Sequence, residues 1–383
     1  MNTIPSRPVR VLWITPEVQG GIASYSRILW PAVAESARAE GHFELLSNLQ
    51  TAPGARADAI SVARDLQPDL VHVQHEYGLF GGTNPFLDGL PRWMRRLRQA
   101  VAPGARIIAT AHSVLPDGHR FETRGQGWRG PLHQLANATL LPWLRRRWRE
   151  GTWGLFDGVI VHSAMQVACL QRGGLTAIAA IPHVVPEIPL LAGERPRNPI
   201  PRVTVFGYFC PEKGQDVVIE ALRHVRTPVR LRFAGGVRHP MNKGYYDDCR
   251  RSIVELGLHD RVEVTGFVPE ADITRLFNES DLVVAPFRST SGSGSLVQAL
   301  AQGAAVLASD LPLNREINER VADTLAYFAS EDPIDCARQI ESLLADADRR
   351  HRLGRQALQY AANHSPAVIA RQHLDFYRRV IAM

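Results

Sequence analysis

Short apolar runs rich in β-branched residues alternate along the chain with longer stretches whose apolar residues recur every three to four positions. In the first half the runs predict strands at Val9–Ile14, Leu70–Val73, Arg106–Ala111 and Gly158–His162. The intervening Ile22–Ala34 and Ala57–Leu66 have helical spacing. The second half repeats the alternation. Strands are predicted at Val203–Gly207, Arg230–Ala234, Val262–Thr265, Leu282–Ala285 and Ala305–Ser309. Helices are predicted at Gln215–His224, Tyr245–Leu256, Ala271–Asn278 and Leu296–Ala301, and after Pro366. This alternation of β-branched runs and helical stretches implies βαβ units and parallel sheets. The fold class predicted is α/β, with two doubly wound Rossmann-like domains facing across a cleft.

The stretch Pro182–Pro201 holds five further Pro or Gly residues and reads as a linker. The division expected is an N-terminal domain over 1–190, a C-terminal domain over 191–365, and a helix over 366–383 that crosses back to the first domain or stays with the second. A chain of 383 residues fits two domains. No run reaches the roughly 20 apolar residues of a membrane-spanning helix, and residues 1–10 lack the apolar centre of a signal peptide. A cytoplasmic protein is expected. Cys169, Cys210, Cys249 and Cys336 are far apart and form no paired motif, so reduced thiols are expected rather than a disulfide framework or a metal site.

Candidate chemistry gathers where strands end, the usual ligand position in open α/β sheets. Gly20 and Gly21 follow the first strand and allow a tight turn, close ligand approach and a helix start. Gln74, His75 and Glu76 follow the run Leu70–Val73. His112 ends Arg106–Ala111, and His183 stands at the domain junction. In the second half, Gly207 ends a strand and Lys213 precedes a helix, the position of a cation that neutralises a diphosphate. A Ser/Gly loop with Ser293, Gly294, Ser295 and Leu296 leads into another helix and offers hydroxyls and backbone N–H groups to an anion. It lacks the Gly-Lys-Ser/Thr ending of a Walker loop, and the first loop is not Gly-x-Gly-x-x-Gly, which counts against a dinucleotide dehydrogenase.

The formal charge of +6 is unevenly spread. Arg92, Arg95, Arg96 and Arg98 form one cluster, and Arg145, Arg146, Arg147 and Arg149 another. Leu90, Trp93, Met94 and Leu97 share one helical face beside the first cluster, and Leu140, Leu141, Leu144 and Trp148 lie beside the second. Such faces either pack into a core or dock on an anionic membrane surface, and the second is the expectation carried forward. No nucleic-acid partner is expected.

Taken in order, these segments resemble family 4 of the glycosyltransferases, with the GT-B fold. The resemblance rests on Gly-Tyr-Phe-Cys-Pro-Glu-Lys-Gly (207–214), Phe-Ala-Gly-Gly (233–236), Thr-Gly-Phe-Val-Pro (265–269) and the Ser/Gly loop followed by Ala299–Asp310. In the first half it rests on the Gly-Gly loop, His-Val-Gln-His-Glu-Tyr-Gly-Leu-Phe-Gly-Gly (72–82) and Ala-His-Ser-Val-Leu-Pro (111–116). It implies transfer of a hexose, with retention of configuration, from a UDP- or GDP-linked donor to a glycan or lipid-linked acceptor, as in bacterial envelope polysaccharide or glycolipid synthesis. No metal and no other cofactor is implied. By the resemblance the second domain binds the donor through Gly20, Gly21, Gly207, Tyr208, Lys213, Ser293, Gly294, Ser295, Leu296 and Gln298, with the first two reaching it from the first domain. Gln74, His75, Glu76 and His183 are assigned to the acceptor, and His112 and Lys213 to catalysis. Tyr208 stands where the family commonly has Arg, and Thr290 and Gln298 stand at its two Glu positions. A subset of the family with Gln-His-Glu-Tyr/Phe-Gly-x-Phe-Gly-Gly and an Ser/Gly-rich loop is closer to this chain. The alternatives are a GT-B nucleotide-sugar epimerase or phosphorylase, and a non-catalytic nucleotide-sugar-binding protein.

Overall fold

The computed structural model describes residues 7–17, 20–51, 56–76, 79–80, 89–114, 130–141, 143, 152–171, 175, 177–189, 198–238, 240–290 and 292–383. The chain divides into two compact units, Met1–Val184 with Pro366–Met383, and Val185–Ser365. The first division falls within the Pro-rich stretch, at Val184/Val185.

The first unit is a six-stranded parallel sheet: β1 (Val9–Thr15), β2 (Phe43–Gln50), β3 (Leu70–His75), β4 (Arg106–Ala111), β5 (Gly158–Val161) and β6 (Ile178–Ala180). Their order is β2-β1-β3-β4-β5-β6. Among the described residues its helices are α1 (Gly21–Glu40), α2 (Arg56–Leu66), α3 (Leu90–Ala100), α4 (Gly130–Thr139), α5 (Ala164–Gln171) and α13 (Pro366–Ile381). One face of the sheet packs on α2 and α3 through Val71, Val73, Ile107 and Ala109. The other packs on α1 and α13 through Val11, Trp13, Ile108 and Ile160.

The basic helix α3 corrects one expectation. Leu90, Trp93, Met94 and Leu97 are all buried, in the first of these cores. The apolar stripe is spent inside the unit, so it is not a membrane-facing surface. Arg98 is tied down as well, donating to Asp157 at 2.6 Å and to the Ala105 and Leu155 carbonyls. Arg92, Arg95 and Arg96 are exposed. The second cluster, Arg145 to Arg149, lies outside the described residues. Among those described, no helix is long and apolar enough to cross a membrane.

Helix α13 is the last element of the first unit and closes its core. Ile369, Leu374, Phe376, Tyr377 and Val380 are at most 1% exposed. At about 1.5–3 kcal/mol for each large side chain fully buried, these five contribute roughly 8–15 kcal/mol of gross apolar burial to the core that this helix shares with α1. It approaches β5 closely because Gly158 has no side chain: a Cβ there would stand 2.9 Å from both Phe376 and Val380.

The second unit is also a six-stranded parallel sheet: β7 (Arg202–Phe206), β8 (Arg230–Ala234), β9 (Val262–Val264), β10 (Leu282–Ala285), β11 (Val306–Ser309) and β12 (Ala326–Phe328). The order is β12-β11-β10-β7-β8-β9. Its helices are α6 (Gln215–Ala221), α7 (Lys243–Glu255), α8 (Glu270–Asn278), α9 (Gly294–Ala301), α10 (Pro312–Arg320), α11 (Pro333–Ala345) and α12 (Ala347–Asn363). Strand order turns outward from β7 and β10, which are neighbours. Such a reversal leaves a crevice at the carboxyl ends of those two strands, and the loops that follow β7 and β10 meet there.

Candidate functional site

In the second unit the loop after β7 and the loop after β10 hold each other in place. Gly214 has φ 66°, the left-handed region, and a Cβ on it would lie 2.0 Å from the Pro286 carbonyl oxygen. Only glycine permits that approach. The Arg288 amide donates to the Glu212 carbonyl at 2.9 Å. Its guanidinium grips both oxygens of Asp216 at 2.8 and 2.6 Å, and also reaches Glu331 and the Pro211 carbonyl. The Tyr245 hydroxyl donates to Asp216 at 2.6 Å. Burial pushes the Asp216 carboxyl up, but the Arg288 and Tyr245 hydrogen bonds outweigh it and hold the group below the usual carboxylate range.

This frame presents Lys213. Its Nζ donates to Ser293 Oγ at 3.2 Å and Ser295 Oγ at 3.1 Å, and stands 3.9 Å from the centre of the Phe287 ring. Burial lowers the ammonium pKa to about 8, partly offset by Cys210 and Glu212. Ser293 is the N-cap of α9, and its hydroxyl accepts from the Leu296 amide. The Leu296 N–H expected to meet a ligand is therefore taken by the cap, and its side chain is buried. The amides of Gly294 and Ser295 come first in the helix and have no acceptor within it. Gly207 has φ 132° and lies beside Ser295, since a Cβ on it would be 3.5 Å from Ser295 Oγ. Lys213, Ser293, Gly294, Ser295 and Gly207 are thus brought together. Tyr208 is 38% exposed at the rim, with the Arg238 guanidinium 5.4 Å over its ring. Gln298 is half-buried, one turn into α9. A hydroxyl pair, a helix start and one ammonium with few competing charges make an anion site.

The first unit differs in kind. Gly20 precedes α1 at φ 134°. The helix start is already occupied: Glu17 accepts from the Ile22 and Ala23 amides at 3.0 and 3.1 Å. The expectation that these amides are open to a donor phosphate is corrected, because a carboxylate of the chain itself fills that place. His75 is corrected too. Alternation along β3 turns Leu70, His72 and Gln74 to one face and Val71, Val73 and His75 to the other. His75 is fully buried, stacked on Phe80 and edge-on to Trp153 within the core. Glu76 lies beyond the strand and accepts from Ser113 Oγ at 2.8 Å.

Gln74 and His112 do meet, at 2.9 Å between Oε1 and Nε2. His112 Nδ1 lies 3.3 Å from Nε2 of His162, whose Nδ1 faces the Ile181 carbonyl at 3.0 Å. Tyr25 stands edge-on to His112 and His183. His183 is half-buried, and its Nδ1 donates to the Val184 carbonyl at 2.8 Å. Burial and neighbouring imidazoles hold His112 well below the ordinary histidine range and bring His162 to about 3. These imidazoles are neutral at pH 7. His162 was missed in the sequence, although it closes β5 as His112 closes β4. Asp216, Arg288 and Tyr245 were missed because nothing local in the sequence joins them.

Comparison with known proteins places this arrangement. A family model for group 1 glycosyl transferases matches residues 195–360, nearly the whole second unit. A D-inositol 3-phosphate glycosyltransferase of Mycobacterium sp. (strain KMS) is 30% identical over 325 residues, covering 80% of this chain and 68% of that protein. The chain belongs to the group 1 glycosyltransferases. A D-inositol 3-phosphate glycosyltransferase of Nocardia farcinica is 30% identical over 193 residues, 48% of this chain and only 41% of the relative. In the fold, the chain is similar to Anabaena HepE, solved in complex with UDP, with TM-score 0.65, 16% identity, and 97% and 100% of the two chains covered. Two Rossmann-like units of this kind are the GT-B fold.

Proposed function

We propose that the protein transfers a hexose from a nucleotide-sugar donor to a hydroxyl acceptor, retaining anomeric configuration and needing no metal. The observation that carries this reading is the convergence of the Lys213 ammonium, the Ser293 and Ser295 hydroxyls and the start of α9 after two adjacent strands. The donor diphosphate gains negative charge as the glycosidic bond breaks, and a preorganised ammonium with fixed dipoles stabilises that charge more than the ground state. Gly207 lets the diphosphate approach the backbone, and Gln298 hydrogen-bonds a ribose hydroxyl. Strand-end groups of the first unit, His183 and Glu76 among them, receive the acceptor, a glycan or lipid-linked sugar. The UDP seen with HepE supports a nucleoside diphosphate as the leaving group.

Calorimetry with UDP and GDP, followed by turnover of the matching nucleotide sugars with and without EDTA, tests the reading. Binding in the micromolar range and EDTA-resistant turnover are expected. Absence of nucleotide binding overturns it. The uncharged Thr290 and Gln298 favour a second reading, a protein that binds nucleotide sugar without turnover. Binding with neither transfer nor hydrolysis decides for that one.

A further inference from the structure

A line of buried side chains joins α13 to the strand ends of the first unit. Trp13 Nε1 lies 2.8 Å from the Tyr377 hydroxyl, which lies 2.6 Å from His72 Nδ1. His72 Nε2 faces Thr110 Oγ1 at 2.7 Å and the Gln74 side-chain amide at 3.4 Å. Beyond Gln74 come His112, His162 and the Ile181 carbonyl. The two ends fix the direction of the line, because an indole N–H only donates and a carbonyl only accepts.

Proton counting from each end leads to Gln74. Trp13 donates to Tyr377 Oη, so Tyr377 gives its own proton to His72 Nδ1. Neutral His72 therefore carries its hydrogen on Nε2, pointing at Thr110 and Gln74. From the other end, Ile181 takes the Nδ1–H of His162. Neutral His162 then has a lone pair on Nε2, which accepts from His112 Nδ1–H. Neutral His112 is left with a lone pair on Nε2, directed at Gln74. With its oxygen toward His112, the Gln74 amide would set two lone pairs against each other at 2.9 Å and two donors at 3.4 Å. Turned by 180° about its last torsion, the same amide satisfies both neighbours, and the N–H and O–H hydrogens of Trp13, Tyr377, His72, His112 and His162 all have acceptors.

We propose that Gln74 is a positioning residue: its NH2 donates to His112 Nε2 and its oxygen accepts from His72 Nε2–H, fixing His112 as the neutral Nδ1–H tautomer. Tyr377, on α13, passes the direction set by Trp13 to His72. Both His112 nitrogens are then committed inside the protein. What His112 presents outward is its ring edge, not a proton donor or base. His183 has Nδ1–H on the Val184 carbonyl and keeps Nε2 as an acceptor, so it is the imidazole that meets an incoming hydroxyl. This last step rests on the transferase reading; the tautomer assignment does not.

The test is two-bond 15N–1H correlation on the full chain labelled at histidine, at pH 7.5, with the His112 signal identified by its loss in His112→Gln. The expected result is one Nδ1–H neutral imidazole for His112. Gln74→Glu, whose carboxylate only accepts, is expected to convert His112 to the Nε2–H or doubly protonated form. Tyr377→Phe removes the donor to His72 Nδ1 but leaves Thr110 and Gln74 as acceptors for His72 Nε2–H, so His72 is expected to stay in the Nε2–H form and His112 in the Nδ1–H form. An Nε2–H or doubly protonated His112 in the unaltered protein overturns the proposal. So does a His112 signal unchanged in a folded Gln74→Glu protein, or a His72 that turns to the Nδ1–H form in Tyr377→Phe. No enzymatic turnover enters these readouts, so they decide the tautomer whether or not the transferase reading stands.

Discussion

The carboxyl ends of the two sheets solve the same problem with opposite chemistry. In the second unit, loops are fixed by full charges: Arg288 between Asp216 and Glu331, and Lys213 facing two hydroxyls. In the first, Glu17 and Glu76 hold backbone amides and a hydroxyl, and the strand ends themselves carry neutral imidazoles that hydrogen-bond one another and nearby carbonyls. An ionic frame leaves a cation to face an anion, which suits a diphosphate. A neutral frame offers lone pairs and N–H groups of defined direction, which suits sugar hydroxyls. The two units share an architecture, and the difference lies in which polar residues end their strands.

The largest expected effect separates the two chemistries at Lys213. Lys213→Ala should lower kcat/KM by 10²–10³-fold, about 3–4 kcal/mol, in line with removal of one donor from a developing anion. An unaltered kcat/KM would take Lys213 out of the site. The same group predicts a pH effect. With its pKa lowered to about 8, the ammonium is charged below that pH and neutral above it. Nucleoside diphosphate affinity should therefore fall several-fold as pH rises from 7 to 9, in titration calorimetry.

The frame beneath Lys213 should tolerate little change. Gly214→Ala forces a side chain into the left-handed region and against the Pro286 carbonyl, and should destabilise the second unit by about 2–4 kcal/mol. Denaturant unfolding measures this. A loss under about 0.5 kcal/mol would mean the two loops are not mutually fixed.

Acid should reverse the contrast. Burial lowers the folded pKa of His72, His112, His162, His183 and His373, the last to about 4. The unfolded chain takes up these protons first, near pH 6.5. Stability from the neutral imidazoles is complete above that value and lost as pH falls toward the folded pKa values, by up to about 1.4 kcal/mol per histidine per pH unit. The second unit has His364 shifted the same way, while Asp216 loses its contribution only below about pH 4. Hydrogen exchange at pH 6.8 and 5.2, corrected for intrinsic rates, should show the first unit opening preferentially. Equal loss in both units would refute the neutral-frame account.

The smallest effect is expected from Gln298→Glu. The residue is half-buried in α9, so a carboxylate there should change nucleotide affinity by less than about threefold. A collapse of binding would show that Gln298 lies closer to the phosphates than its place one turn into α9 suggests.

Strands with continuous apolar runs were legible in the sequence because burial on both faces leaves little room for polar residues. Strand β2 was not. It reads Phe-Glu-Leu-Leu-Ser-Asn-Leu-Gln, has no β-branched residue, and is an edge strand buried only at Phe43. The Lys213 and Ser/Gly loops were legible as strand-end motifs, since each is local. The Asp216–Arg288 strut was not, with its partners 72 positions apart. His75 was misread for a different reason. Its neighbours in sequence are polar, but strand alternation sends it to the face opposite Gln74, into the core against Phe80 and Trp153.

The first unit is interrupted in sequence, with all of residues 185–365 inserted before its last helix. During synthesis the second unit, although later in the chain, has all its parts before the first does. Until α13 emerges, β5 and its neighbours lack Phe376, Tyr377 and Val380, and the hydrogen-bond line begun at Trp13 lacks its hydroxyl. Nascent chains halted beyond residue 365 should therefore carry one protease-resistant unit, the second, and a first unit that is cut readily until the final eighteen residues arrive. Order of folding would then run against order of translation.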